Sequence, residues 1–182
     1  MFFLQMSGVP GSGKSTLAKA LAKKTNAIVV DHDIVKSAML NSVQSLETDA
    51  ETVKLDNRLV GKISYDIEWA LVDFYLAQGL SVILDSPCLY TVMVEKGTRL
   101  SQKHGAAYKY VECVLADLDQ IDQRLRTREA MVSQNRQVNS PEAFTSAFGN
   151  SQRPSEHPCL LIDSSRPLET YLEEVITYLS QS

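Results

Sequence analysis

Residues 8–16, GVPGSGKST, combine glycines, a lysine and hydroxyl side chains at a spacing that suits the binding of phosphate groups. The pattern G-x-x-x-x-G-K-[ST] of a phosphate-binding loop (P-loop) is filled by Gly8, Gly13, Lys14 and Ser15. Glycines allow backbone conformations closed to other residues, so several N–H groups can point toward one anion. The Lys14 ammonium would reach the β- and γ-phosphates of a nucleotide, and the Ser15 hydroxyl would bind Mg²⁺.

The residues around the loop support nucleotide binding, because an apolar run at 2–7 precedes it and a helical pattern follows it. The N-terminus of that helix would add its partial positive charge. A dinucleotide fingerprint is the alternative for a glycine loop, but Thr16 stands where that fingerprint requires Gly or Ala. We expect the loop to contact the nucleotide through Gly8, Gly11, Ser12, Gly13, Lys14, Ser15 and Thr16.

An acidic residue, Asp85, ends the apolar run SVILDS. A carboxylate at the end of a strand can hold Mg²⁺ directly or through water, whereas a helix or turn cap is the purely structural alternative. We favour the metal role, which predicts a Mg²⁺ site made of Ser15 and Asp85. Ser86 follows in place of a second acid, which argues against an enzyme that only hydrolyses ATP.

Two further carboxylates, Asp31 and Asp33, occur in VVDHDIVK. Both could cap the following helix, where acidic residues are favoured. Alternatively, one of them could orient an acceptor hydroxyl and take its proton. We favour Asp33 as this base and keep Asp31 as the alternative or as a supporting residue. His32 is interpreted as a surface residue, and Lys36 as a solvated residue that could touch an anionic substrate group.

Arginines cluster in RLRTRE, and the segment that follows them is polar. On a helix Arg124 and Arg128 would share one flank, whereas Arg126 would pair with Asp122 four residues earlier. Cations stabilise the charge of a transferring phosphoryl group, so Arg124 and Arg128 are predicted to contact ATP. One would lie near the adenine or α-phosphate and the other near the γ-phosphate. A solvated arginine face is the structural alternative.

The wider pattern alternates apolar runs with helical segments and predicts an α/β domain. Strands are expected near 2–7, 27–31, 80–86, 107–116 and 159–164. Because most of them are continuously apolar, we expect a parallel sheet covered by helices on both faces. A long helix is predicted from about 54 to 78, with Ile63, Ile67, Leu71 and Phe74 on its apolar face. Ligands of such sheets bind at the carboxyl ends of the strands.

Composition is that of one globular domain of 182 residues with a net charge of −4, which offers no overall basic field for nucleic acid. No apolar run has the length of a membrane span. Cys88, Cys113 and Cys159 are far apart and lack the paired spacing of a metal site. They predict reduced thiols in a cytoplasmic protein, with Cys113 in the core.

The chain resembles the P-loop kinases of the adenylate-kinase-like group. The closest likeness is to the branch with chloramphenicol phosphotransferase, zeta toxins and polynucleotide 5′-kinase. The motifs that carry the resemblance are GVPGSGKST, VVDHD, SVILDS and the spaced Arg124 and Arg128. It implies a three-layer P-loop NTPase fold with a five-stranded parallel sheet in the order 2-3-1-4-5. It further implies a base at Asp33, arginines of a lid within about 117–153, and an adenine-side loop containing Arg166.

The expected function is therefore an ATP-dependent kinase that needs Mg²⁺ and transfers the γ-phosphoryl group to a hydroxyl of a small molecule. An acceptor with little charge is favoured, since the only arginines outside the predicted lid are Arg58, Arg99, Arg166 and, at the end of the lid, Arg153. Two alternatives stay open. One is a nucleotide-binding ATPase switch, although the sequence contains neither the N-K-x-D motif that binds the base in GTP switches nor their D-x-x-G loop. The other is a kinase of 5′-hydroxyl polynucleotide ends.

Overall fold

The computed structural model describes residues 1–46 and 57–181, and the start of the helix predicted from about 54 lies outside these residues. The strands are β1 (Phe2–Ser7), β2 (Ile28–Asp31), β3 (Val82–Asp85), β4 (Ala107–Val114) and β5 (Cys159–Asp163). In the described part of the chain they form one parallel sheet in the order β2-β3-β1-β4-β5. The predicted fold class and strand order are both confirmed.

Helices cover both faces of this sheet. They are α1 (Lys14–Thr25), α2 (His32–Leu46), α3 (Asn57–Ala77), α4 (Thr91–His104), α5 (Leu118–Thr127), α6 (Pro141–Phe148) and α7 (Leu172–Ser180). Successive side chains of β1 point to opposite faces. Leu4 and Met6 pack against α1 and α7, whereas Phe3 packs against α3 and α4. Among the described residues, no helix has the length and apolar character of a membrane span.

The face on which α3 packs differs from the prediction. Its buried residues include Val60, Ser64, Glu68, Val72 and Leu76, each at most 1% exposed. The predicted stripe lies largely to one side of this face, with Ile67 38% and Phe74 59% exposed. Hydropathy could not identify the packed face, because that face contains Ser64, whose hydroxyl donates to the Val60 carbonyl oxygen, and Glu68, whose Oε1 contacts His32.

The predicted lid at about 117–153 contains helices α5 and α6, and α5 ends before Arg128, which was predicted to share its flank with Arg124. Helix α5 ends at Thr127, and Arg128 already has extended backbone angles. The Ser140 hydroxyl accepts a hydrogen bond from the Ala143 N–H, and Pro141 occupies the first turn of α6. Serine at the cap followed by proline is a recognised helix start, so this signal was present in the sequence.

Candidate active site

The P-loop lies between β1 and α1 and adopts the left-handed backbone that its glycines permit. Gly11 and Gly13 have φ angles of 82° and 89°, and Gly13 directly precedes the first residue of α1. Gly8 has φ of 135°, and a Cβ atom there would lie 2.5 Å from the Cys113 carbonyl oxygen. The loop thus requires glycine at Gly8 for packing against β4 as well as for its backbone angle.

The loop opens into a cleft of about 1150 Å³. The sequence-predicted site residues that line this cleft are Gly11, Gly13, Lys14, Ser15, Thr16, Asp33, Arg124, Arg128 and Arg166. Three others do not line it. Gly8 and Ser12 form the buried base of the loop, and Asp85 is only 4% exposed.

Asp85 ends β3, where its Cα is in register with that of Asp31 on β2. The buried Asp85 Oδ2 has no hydrogen-bond partner among the described residues. Since a buried carboxylate oxygen without a partner is costly, this atom fits a Mg²⁺ ion held with the help of the Ser15 hydroxyl. No cluster of three or more His, Cys, Asp or Glu residues suited to a metal occurs in residues 1–46 and 57–181. A Mg²⁺ ion here would therefore take its other oxygen ligands from nucleotide and water.

Asp31 is a helix cap next to the proposed metal ligand. Its Oδ1 accepts hydrogen bonds from the N–H groups of Asp33, at 2.8 Å, and Ile34, at 3.3 Å. Burial, and then the nearby Asp85 carboxylate, raise the pKa of Asp31 from 3.8 to about 6. The capping interpretation is correct for Asp31, which is 8% exposed and does not line the cleft.

The raised pKa of Asp31 predicts a pH-dependent stability in the protein without Mg²⁺. A carboxyl group whose pKa is higher in the folded than in the unfolded state stabilises the fold at low pH, and this contribution is lost as the pH rises through about 6. The shift corresponds to about 3 kcal/mol. Asp31→Asn keeps an oxygen for the cap but cannot titrate. Urea unfolding should show the variant gaining stability relative to the original chain, by about this amount, between about pH 4 and pH 7.

Asp163→Asn provides the matched control for this prediction. Asp163 is exposed, and hydrogen bonds from Ser165 hold the pKa of its carboxyl below the ordinary value. Its contribution to stability is therefore present at neutral pH and lost only in acid, so the variant should gain nothing as the pH rises from 4 to 7. A constant stability difference for Asp31→Asn across that range would contradict the assigned pKa.

Asp33 faces the cleft and contacts the segment after α5. Its Oδ2 accepts a hydrogen bond from Gln134 Nε2 at 2.8 Å, and its Oδ1 accepts one from Ser133 Oγ at 3.3 Å. Ser133 is held in turn by Ser37 of α2, at 2.8 Å between the hydroxyl oxygens. Ser133 and Gln134 were not predicted as site residues, because this contact spans about 100 residues of sequence and follows no local pattern.

The two predicted arginines occupy different parts of the cleft. Arg124 donates to the Ser164 carbonyl oxygen at 2.9 Å and to that of Gly11 at 3.4 Å, so it joins the P-loop to the loop after β5. Arg128 donates to the Asn135 carbonyl oxygen at 2.8 Å. Burial lowers the pKa of Arg128, and the Asp33 carboxylate opposes this effect. Arg124 therefore lies toward the loop containing Arg166, and Arg128 lies toward Asp33.

The interpretation of His32 as a surface residue is wrong. His32 is 7% exposed and lines the cleft, and its Nδ1 lies 2.5 Å from Oε1 of Glu68, which is fully buried. The imidazole also stacks on the Tyr65 ring, with 4.5 Å between the ring centres. Burial raises the pKa of Glu68, whereas the hydrogen bond with His32 lowers it. Glu68, a charged residue within the apolar pattern of α3, is the sequence feature that could have indicated this buried pair.

The strand order and the P-loop between β1 and α1 place the protein among the P-loop NTPase folds. The family model AAA_33, described as an AAA domain, matches residues 4–149. The chain belongs to this family, since the match covers most of its length. No protein in the comparison with curated sequences matches the chain significantly.

Solved structures with this fold include proteins described as kinases. One from Chloroflexus aurantiacus, described provisionally as a kinase, has a TM-score of 0.74, 20% identity and 98% coverage of both chains. A gluconokinase from Sinorhizobium meliloti has a TM-score of 0.61 and 16% identity, covering 98% of this chain and 91% of its own. The Mycobacterium tuberculosis APS kinase, in complex with AMPPNP and APS, has the same score and identity, with coverages of 99% and 98%. At these identities the similarity establishes the fold.

Proposed function

We propose that the protein is an ATP-dependent kinase that transfers the γ-phosphoryl group to a hydroxyl of a small molecule. The observation that carries this proposal is the presence of Lys14, Asp33 and Arg128 on the lining of one cleft. A nucleotide-binding loop alone would serve a switch equally well. A cleft-facing carboxylate beside that loop is the additional group that transfer to a hydroxyl requires.

In the proposed reaction, Asp33 accepts the proton of the acceptor hydroxyl as the acceptor oxygen bonds to the γ-phosphorus. The bond between that phosphorus and the β,γ-bridging oxygen breaks, and ADP leaves with the electron pair. Lys14, Arg128 and Arg124 stabilise the negative charge that spreads over the phosphate oxygens. Ser15 and Asp85 would hold Mg²⁺, which would neutralise further negative charge on the phosphates.

The loop after β5 is the proposed adenine side of the cleft. Arg166, Pro167 and Tyr171 line it there, and the Arg166 guanidinium lies 6.0 Å from the Tyr171 ring centre.

The kinase neighbours, among them a gluconokinase and an APS kinase, support transfer to a small molecule. We further propose that the chain is related most closely to the branch with chloramphenicol phosphotransferase, zeta toxins and polynucleotide 5′-kinase. A reducing, cytoplasmic location is proposed from the three free thiols, Cys88, Cys113 and Cys159.

A transfer screen with γ-labelled ATP and Mg²⁺ tests the proposed activity. The acceptors are polyols, sugar acids, sugar phosphates, nucleosides, hydroxyl-bearing antibiotics and a 5′-hydroxyl oligonucleotide, with Lys14→Ala as the inactive control. We expect labelled product from at least one small hydroxyl compound and none from the control. Steady release of free phosphate without transfer to any acceptor would instead indicate a hydrolase or switch. Efficient labelling of the oligonucleotide alone would indicate a polynucleotide kinase.

A further inference from the structure

The cleft extends to both sides of the P-loop, as the strand order requires. On the side of β4 and β5, its lining comes from α5 and from the loop after β5. On the side of β2 and β3, its lining comes from α2, α3 and residues 87–96, and we call this part the acceptor arm. Asp33, the proposed base, stands in the first turn of α2 at this side.

The acceptor arm concentrates positive charge in a protein whose net charge is −4. Its lining includes Lys36 on α2, Arg58 and Lys62 on α3, and Lys96 on α4. The acids among its lining residues are Asp33 and Asp66, and Asp66 lies 3.6 Å from the Lys96 ammonium. Lys36, Arg58 and Lys62 have no ion-pair partner in the described part of the chain.

Two of these cations form a like-charged pair on α3 that a bound anion would stabilise. Arg58 and Lys62 are four residues apart on α3 and so lie on one face of the helix, where like charges destabilise it. Helix α3 packs against α2, which contributes Lys36 to the same arm. Tyr65 and Trp69, one and two turns further along α3, line the arm beside these cations. An anion bound between the two helices would offset the repulsion, whereas a neutral polyol would not.

We propose that the acceptor arm binds an anionic group, a carboxylate or a phosphate, carried by the hydroxyl-bearing acceptor. This inference rests on the kinase activity proposed above and specifies its substrate class. It replaces the expectation of an acceptor with little charge, which counted arginines and left out Lys36, Lys62 and Lys96. The size of the arm, shared with the nucleotide in one cleft of about 1150 Å³, suits a metabolite more than a polymer.

Two measurements test the anion site. In the first, ADP and Mg²⁺ fill the nucleotide part of the cleft, and inorganic phosphate or malonate is titrated by calorimetry. We expect binding that weakens about tenfold in Lys62→Gln and in Arg58→Gln, as for the loss of one charge-assisted hydrogen bond. Lys23→Gln is the matched control, because Lys23 is exposed on α1 and does not line the cleft. Its affinity for both anions should equal that of the original chain.

In the second measurement, phosphoryl transfer from ATP is compared among glycerol, glycerate and glycerol 3-phosphate, and among longer polyols with their acids and phosphates. An anionic member should be preferred, and Lys62→Gln should lower the ratio of its kcat/KM to that of the neutral member about tenfold. Comparison of glycerate with glycerol 3-phosphate shows whether the site prefers a carboxylate or a phosphate.

The outcomes separate this inference from the proposed function. Anion binding that depends on Lys62 and Arg58, with no transfer to any acceptor, would sustain the anion site and contradict the kinase. Transfer to neutral polyols at rates unaffected by Lys62→Gln, with no phosphate or malonate binding, would sustain the kinase and overturn the anion site. Binding of an oligonucleotide with steep salt dependence, and of neither small anion, would also overturn it.

Discussion

Asp33→Asn should reduce phosphoryl transfer by about 10²–10⁴-fold while the affinity for ATP stays nearly constant. The amide has the shape of the carboxylate and can still accept the hydrogen bond from Ser133 Oγ, but it cannot take a proton from the acceptor hydroxyl. The Gln134 side chain, which donates to Asp33 Oδ2, can present its carbonyl oxygen to the new amide. Initial rates with a saturating acceptor, and ATP binding measured separately, provide the two readouts.

Asp31→Asn is the companion variant that distinguishes the two carboxylates. Asp31 caps α2 and does not line the cleft, so its replacement should cost far less transfer activity than that of Asp33. If the Asp33 variant kept its full rate and the Asp31 variant lost it, the base would be Asp31. Equal activity of both variants would remove base catalysis by either residue from the mechanism.

Gly8→Ala should abolish nucleotide binding and destabilise the fold. The added Cβ would lie 2.5 Å from the Cys113 carbonyl oxygen and 2.7 Å from Ser12 Oγ, and the first of these contacts is with a strand backbone that cannot yield. The φ angle of 135° adds strain of about 1–3 kcal/mol. To relieve the contact the loop must move away from β4, which displaces the amides that would surround the phosphates. Chemical unfolding and ATP titration measure the two effects.

Gly79→Ala separates backbone strain from the steric contact. Gly79 also has a positive φ angle, 77°, but a Cβ there would meet no atom within 4 Å. This variant should lose about 1 kcal/mol of stability and bind ATP normally. If Gly8→Ala behaved like Gly79→Ala in both assays, close packing of the P-loop on β4 would not be what positions it.

Much of the fold was predictable because local patterns specify it. The alternation of apolar runs with helical segments predicted the parallel sheet, and the P-loop motif identified the β1–α1 junction correctly. The Arg126–Asp122 pair was also correct, since a spacing of four residues decides it within one helix. The core position of Cys113, which is 1% exposed, followed from its place in the largely apolar run YVECVLA. These predictions needed no knowledge of which distant segments meet.

The errors concern polar residues whose surroundings come from elsewhere in the chain. Glu68 was not identified from the sequence, and His32 was interpreted as a surface residue. Burial of both is possible because each partners the other across 36 residues. The same holds for the contact of Ser133 and Gln134 with Asp33, about 100 residues away. Hydropathy assigns such residues to the surface, since it values each side chain without its partner.

Residue types at short, regular spacings were enough to predict the class of fold and the phosphate-binding loop. Only the folded chain shows which of the two neighbouring carboxylates faces the cleft, and that Lys36, Arg58 and Lys62 all line the acceptor arm. The physical reason is that a site's charge depends on distances between side chains from separate helices, and packing of α2 against α3 sets those distances.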